Sequence, residues 1–131
     1  MVCGSIGYGG VNDIKNLYAF LESKGFSIVD HMVNKGMDYS HISDFRDKLD
    51  LSQKIINHDL EYIESSDTVV VIANGPSYGT AIEMHIAKNS GKKVILFAKD
   101  PVPTPWPVYF SDYVATNEDQ LIKILQNLEA G

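Results

Sequence analysis

Hydrophobic residues occur along the chain in two alternating patterns. Short, nearly continuous apolar runs alternate with longer stretches in which apolar positions recur roughly every three to four residues. The first pattern is typical of buried strands and the second of amphipathic helices. Because the two alternate, the chain predicts a series of β-α units around a parallel sheet. The predicted strands span residues 1–3, 26–29, 68–72, 94–98 and 112–115.

Helices are predicted between these strands. The first is expected to be capped by Asn12 or Asp13 and ended by Gly25, and Asn117 is expected to cap the last one. Two further helices are predicted over residues 45–64 and 78–89.

Two segments are predicted to be loops. Residues 31–44 are polar and without a period, which favours a long loop suited to covering a site. Residues 101–107 contain four prolines and predict a rigid loop.

The complete pattern predicts a single α/β domain over residues 1–131. Its fold is doubly wound, as in flavodoxin-like or Rossmann-like proteins, with a mostly parallel five-stranded sheet and helices on both faces. Ligands of such folds bind beyond the carboxyl ends of the strands.

Composition narrows the function classes. The chain has 131 residues, 44% hydrophobic and 21% charged, and a net charge of −6, which disfavours binding to a nucleic acid polymer. The single cysteine, Cys3, cannot form an internal disulfide and favours a reducing compartment, with the cytoplasm as the default. No apolar stretch approaches the about 20 residues that span a bilayer, so no membrane association is expected.

Two acidic residues are candidates for chemistry. Asp59 lies within the apolar stripe of the predicted helix over 45–64, where a carboxylate either bonds to the backbone at the rim or has a functional role. Glu83 follows the best-defined strand, predicted over residues 68–72, and lies near the start of the helix predicted over 78–89. The helix dipole is expected to keep Glu83 ionised, as a nucleophile requires, although acidic residues also occur there for stability alone.

A glycine-rich turn over residues 4–10 is suited to binding an anion through backbone N–H groups. It lacks the third glycine of a dinucleotide fingerprint, because Asn12 stands at that position, and this disfavours nicotinamide binding. The four histidines are scattered and are expected at the surface or at caps, so no metal site is predicted.

Four short motifs together resemble the nucleoside 2-deoxyribosyltransferase superfamily, and most nearly its 2′-deoxynucleoside 5′-monophosphate N-glycosidases. The motifs are Cys3-Gly4-Ser5-Ile6, His58-Asp59-Leu60 with Ile63, Ser66-Asp67, and Pro76-Ser77-x-Gly79-x-x-x-Glu83.

The resemblance implies an enzyme that cleaves N-glycosidic bonds of nucleosides or nucleotides, by hydrolysis or base transfer. It implies that Glu83 is the nucleophile at C1′ of the deoxyribose and that Asp59 assists at the sugar and base. It further implies a homodimer that works without metal or organic cofactor. The implied substrate-binding residues lie in the glycine-rich turn and around the start of a helix: Gly4, Ser5, Ile6, Tyr8, Gly9, Ser77 and Gly79.

Two positions depart from the family pattern and keep other functions open. Members commonly carry a tyrosine where Met1 stands, and a phosphate-binding arginine where Gly7 and Tyr8 stand. These departures favour the alternative of a non-catalytic nucleotide-binding module of the same fold. Size and acidic charge also suggest a flavodoxin-like protein that binds FMN.

Overall fold

A computed structural model describes residues 1–7 and 9–131 as an α/β fold around a parallel sheet. Neighbouring strands of the sheet pair in chain order, and all three pairs are parallel. In the described part of the chain the sheet has four strands: β1 (Val2–Cys3), β2 (Thr68–Ile72), β3 (Lys93–Phe97) and β4 (Tyr113–Ala115).

Helices connect the strands. Two single 3-10 turns, His31–Val33 and Lys35–Met37, lie in the segment over residues 31–44 that is predicted to be a loop. A one-turn helix begins inside the proline-rich segment. The helices of the described residues are α1 (Val11–Ser23), α2 (Leu49–Glu64), α3 (Tyr78–Asn89), α4 (Trp106–Tyr109) and α5 (Glu118–Ala130).

Both faces of the sheet are covered, as the pattern predicted. Val70 and Ile72 of β2 belong to a core cluster with α1 and α5, whereas Val69 and Val71 belong to a second cluster with α3. Helix α2 contributes to both clusters. The unbroken apolar run of β2 is therefore explained by burial on two sides.

The prediction of five strands is wrong, because residues 26–29 do not form a strand. The Tyr18 hydroxyl lies between this segment and β1: the backbone N–H of Val2 donates to it at 2.8 Å, and it donates to the carbonyl of Val29 at 3.0 Å. A buried phenol thus takes the position at which direct strand pairing would place a backbone group.

Two predicted helix starts also differ. Helix α2 begins at Leu49, four residues later than predicted. Helix α1 begins at Val11 with Gly10 as its N-cap, not Asn12 or Asp13. Gly10 has φ +101°, which favours glycine, and a Cβ there would clash with Asn74 Nδ2 and approach the Ser5 carbonyl oxygen to 3.0 Å. The predicted cap of the last helix is confirmed, since the Asn117 side chain accepts from the N–H of Gln120.

None of the helices in the described ranges combines the length and apolarity needed to cross a bilayer.

Candidate functional site

The glycine-rich turn after β1 is held against the end of β2 by Asn74. Asn74 Oδ1 accepts from the N–H of Ser5 at 3.2 Å, while Asn74 Nδ2 donates to the carbonyl of Gly10 at 3.5 Å and to Asp13 Oδ2 at 3.3 Å. One amide side chain therefore joins both ends of the turn to the carboxyl end of a central strand. Asn74 is not among the predicted site residues; its position directly beyond the strand over 68–72 is the signal that could have identified it.

The residues predicted to bind substrate within this turn differ in environment. Gly4 is buried, and a Cβ there would approach Ile14 Cγ1 to 3.1 Å. Ser5 is 1% exposed, and its Oγ has no hydrogen-bond partner among residues 1–7 and 9–131. Ile6 packs in the core cluster with α1, whereas Gly9 is exposed. Tyr8 lies outside the described residues.

Glu83 lies in the second turn of α3, which Ser77 caps. Ser77 Oγ accepts from the N–H of Thr80 at 3.3 Å, so the helix begins at Tyr78, as predicted. The Glu83 side chain is partly buried, and the Cys3 thiol donates to its Oε2 at 3.5 Å. A Cβ on Gly79, one turn earlier, would lie 3.9 Å from Glu83 Oε1, which places Gly79 beside the other carboxyl oxygen.

Asp59 lies on α2 and is 8% exposed, which places the carboxylate within the apolar stripe as predicted. Its Oδ1 lies 3.4 Å from Nδ1 of the neighbouring His58. The His58 ring stacks on Tyr62, one turn along the helix, at 4.3 Å between centroids. Burial raises the pKa of Asp59, and the His58 imidazole opposes that rise.

The two acids lie on helices that pack against each other, and the charge of Asp59 acts on Glu83. Burial, and secondly the charge of Asp59, raises the pKa of Glu83 to about 8, while the Cys3 hydrogen bond opposes the rise. The helix dipole is expected to favour the ionised form of Glu83, but burial and the like charge of Asp59 act in the opposite direction. Near neutral pH these effects favour the neutral form of Glu83.

Two surface cavities lie elsewhere. A cleft of about 460 Å³ opens beyond β2 and β3, between α1 and α5, and includes Asn74 in its lining. A groove of about 610 Å³ follows the proline-rich segment. Neither is lined by Asp59 or Glu83. The candidate site at the acids is therefore defined by its side chains and by the effect of the Asp59 charge on Glu83.

Histidine placement differs from the expectation in one case. His31 is buried rather than at the surface; its Nδ1 lies 2.8 Å from the Tyr18 hydroxyl, and burial lowers its pKa to about 4. Across the described parts of the chain, no three His, Cys, Asp or Glu side chains are arranged to hold a metal ion.

Comparison with protein families matches residues 10–125 to the family described as nucleoside 2-deoxyribosyltransferase. The match includes both acids, Ser77 and Gly79, while most of the glycine-rich turn precedes it. Comparison with curated proteins found no match. The matched region covers most of the chain and has the parallel α/β architecture described above. The chain therefore belongs to the nucleoside 2-deoxyribosyltransferase family.

Proposed function

We propose that the protein cleaves the N-glycosidic bond of 2′-deoxynucleosides or their 5′-monophosphates through a covalent intermediate on Glu83. Family membership supports glycosyl transfer or cleavage in general. The observation that carries the finer proposal is that Asp59 and Glu83 lie on helices that pack against each other, with the charge of Asp59 raising the pKa of Glu83. Retaining displacement at a sugar uses two carboxyl groups, one as nucleophile and one as proton donor.

In the first step, the proton of Glu83 passes to Asp59 when substrate binds, which leaves Glu83 ionised. A Glu83 oxygen then forms a bond to C1′ as the bond from C1′ to the base nitrogen breaks. The electron pair of that bond remains on the base, which takes the proton from Asp59. In the second step, water or an acceptor base attacks C1′, Asp59 removes its proton, and Glu83 is released. Hydrolysis and transfer therefore differ only in the second nucleophile.

The glycine-rich turn is proposed to bind the sugar or its 5′-phosphate. The Ser5 hydroxyl supports this role, because a buried hydroxyl without a protein partner costs free energy unless a ligand or water satisfies it. Ser77 caps the start of α3, and this position supports a contact with the same substrate. The full proposed set is Gly4, Ser5, Ile6, Tyr8, Gly9, Ser77 and Gly79.

The likeness to 5′-monophosphate N-glycosidases makes monophosphates the first substrates to assay. The ratio of kcat/KM for a deoxynucleoside 5′-monophosphate to that for the deoxynucleoside tests this preference. A ratio above about tenfold supports phosphate recognition by the turn, and a ratio near one contradicts it.

A homodimer is the proposed assembly. Ile56 on α2 and Ile82 on α3 are 52% and 59% exposed, and they lie one turn from Asp59 and next to Glu83, respectively. Apolar side chains beside a site support its cover by a second copy. Sedimentation velocity of the wild type and Ile82→Glu tests this: a dimer that the substitution dissociates supports it, and a monomeric wild type contradicts it.

The free, buried Cys3 thiol supports a cytoplasmic location.

A second candidate is a nucleotide-binding module without turnover. The raised pKa of Glu83 favours it, because a protonated carboxyl is a poor nucleophile. Nucleotide-induced thermal stabilisation without base release supports the module.

The decisive experiment incubates the protein with the common deoxynucleosides and their monophosphates and follows free base by chromatography. Base release, its loss in Glu83→Gln, and a glycosyl adduct on the Glu83 peptide in acid-quenched wild type are expected. Substitution of exposed Glu129 by Gln is the matched control. Absence of base release from every substrate would refute the proposal.

A further inference from the structure

The Cys3 thiol meets Glu83 inside the protein. Cys3 is 1% exposed, and its Sγ lies 3.5 Å from Glu83 Oε2, within the range of a thiol hydrogen bond. A cysteine buried in a core usually serves as a small apolar side chain. Here its sulfur faces a carboxyl oxygen at the carboxyl end of β1, so the residue has a polar partner as well as apolar neighbours.

The two oxygens of Glu83 have different surroundings. Oε2 accepts the thiol hydrogen bond, while Oε1 lies on the side of Gly79, where the absence of a side chain leaves space. Gly79 is in the first turn of α3, next to the Ser77 cap, and is only partly buried. Oε1 is therefore the oxygen that an incoming ligand can approach from the start of α3.

We propose that Cys3 is a positioning residue: its thiol holds Glu83 Oε2, which turns Oε1 toward the substrate as the attacking oxygen. This inference rests on the proposed function of Glu83. A donor on Oε2 also stabilises the ionised carboxylate, which the nucleophile requires and which burial and the charge of Asp59 oppose. The thiol itself stays protonated, because burial raises its pKa.

Carbon-13 NMR titration of the Glu83 carboxyl, assigned by its loss in Glu83→Gln, tests the hydrogen bond without substrate. Cys3→Ala and Cys3→Val remove the donor, and the second preserves most of the volume should the first not fold. Both are expected to raise the pKa of Glu83 by about half a unit or more, whereas Cys3→Ser retains a donor and should not. Val71, which pairs with Cys3 across β1 and β2 and is equally buried, supplies the control Val71→Ala.

Base release under the same conditions tests the positioning role. Cys3→Ala and Cys3→Val are expected to lower kcat about tenfold with KM within about twofold of wild type, and Cys3→Ser to restore most of the loss. An unchanged titration and kcat in both donor-free variants, or an equal effect of Val71→Ala, would overturn the inference. If the wild type releases no base, the proposed function fails, while the titration still decides whether the thiol holds the carboxyl group.

Discussion

Asp59 and Glu83 share one electrostatic environment although they lie on different helices: the charge of Asp59 raises the pKa of Glu83, and burial raises both. His58 beside Asp59 and Cys3 beside Glu83 each favour the ionised form of their neighbour. The protonation of the two acids therefore depends on four side chains from β1, α2 and α3. This dependence leads to the first two predictions.

Replacing Glu83 by Gln should stabilise the protein at alkaline pH. A carboxyl whose pKa is raised on folding, here to about 8, holds its proton more tightly in the folded state. The contribution of this carboxyl to stability is complete below its pKa in the unfolded chain and is lost as pH rises toward 8. Glu83→Gln removes this loss. We therefore expect the free energy of unfolding of the variant to be close to that of wild type at about pH 4 and higher by on the order of 1–3 kcal/mol at about pH 8.5.

Urea unfolding at the two pH values measures the difference. Glu129→Gln, on the exposed side of α5, controls for the change in net charge. If Glu83→Gln raises the free energy of unfolding by the same amount at both pH values, the electrostatic explanation is contradicted.

Replacing Asp59 by Asn should lower the pKa of Glu83 and reduce base release. The substitution removes the like charge that raises the pKa of Glu83, and it removes the proposed proton donor. Loss of a general acid typically costs about 10²- to 10⁴-fold in rate. The NMR titration of Glu83 and kcat for a substrate with a poor leaving base measure the two effects separately.

Asp50→Asn, on an exposed position of the same helix, is the matched control. If the pKa of Glu83 does not fall in Asp59→Asn, the two acids do not interact as described. If it falls but kcat is unchanged, Asp59 is not the proton donor.

Local signals were sufficient for the centre of the fold. The predicted bounds 68–72 and 78–89 are those of β2 and α3, because a continuous β-branched run defines the strand and the Ser77 cap defines the helix start. The cap at Asn117 is equally local. The depth of Asp59 was also predictable, since its apolar neighbours at helical spacing indicate which way the side chain points.

Long-range contacts decided what the sequence could not predict. Residues 26–29 have strand-like composition, but the Tyr18 hydroxyl lies between them and β1. The first helix begins at Val11 because Gly10 meets Asn74 across the fold. The protonation of Glu83 depends on burial and on Asp59, neither of which its own helix reveals.

Substitution of Gly10 by Ala should destabilise the protein more than substitution of Gly9. Both glycines have positive φ, +101° and +90°, so alanine is strained at either position. At Gly10 the added Cβ would also clash with Asn74 Nδ2, whereas at Gly9 it meets nothing within 4 Å. We expect Gly9→Ala to cost about 1 kcal/mol and Gly10→Ala about 2–3 kcal/mol of unfolding free energy.

Chemical denaturation measures both variants. Equal losses would mean that backbone strain alone matters and that Asn74 does not hold the turn. Because Asn74 also accepts from Ser5, Gly10→Ala should in addition raise KM, which Gly9→Ala should not do through this contact.

Replacing Tyr18 by Phe tests whether the phenol is the reason that residues 26–29 do not pair with β1. The hydroxyl joins the N–H of Val2, the carbonyl of Val29 and Nδ1 of His31, and Tyr18 is buried. Removing it leaves buried polar groups unsatisfied, at a cost of about 2–3 kcal/mol. Tyr109→Phe, at an exposed position, controls for the general effect of losing a phenol.

Hydrogen exchange separates two results of the Tyr18 substitution. If the hydroxyl holds β1 and the segment apart, the amide of Val2 loses protection in Tyr18→Phe, because its acceptor is gone. Retained protection at Val2 together with new protection over residues 26–29 would mean that the segment has moved in to pair with β1. Unchanged stability and unchanged protection would show that the hydroxyl does not contribute to this edge of the sheet.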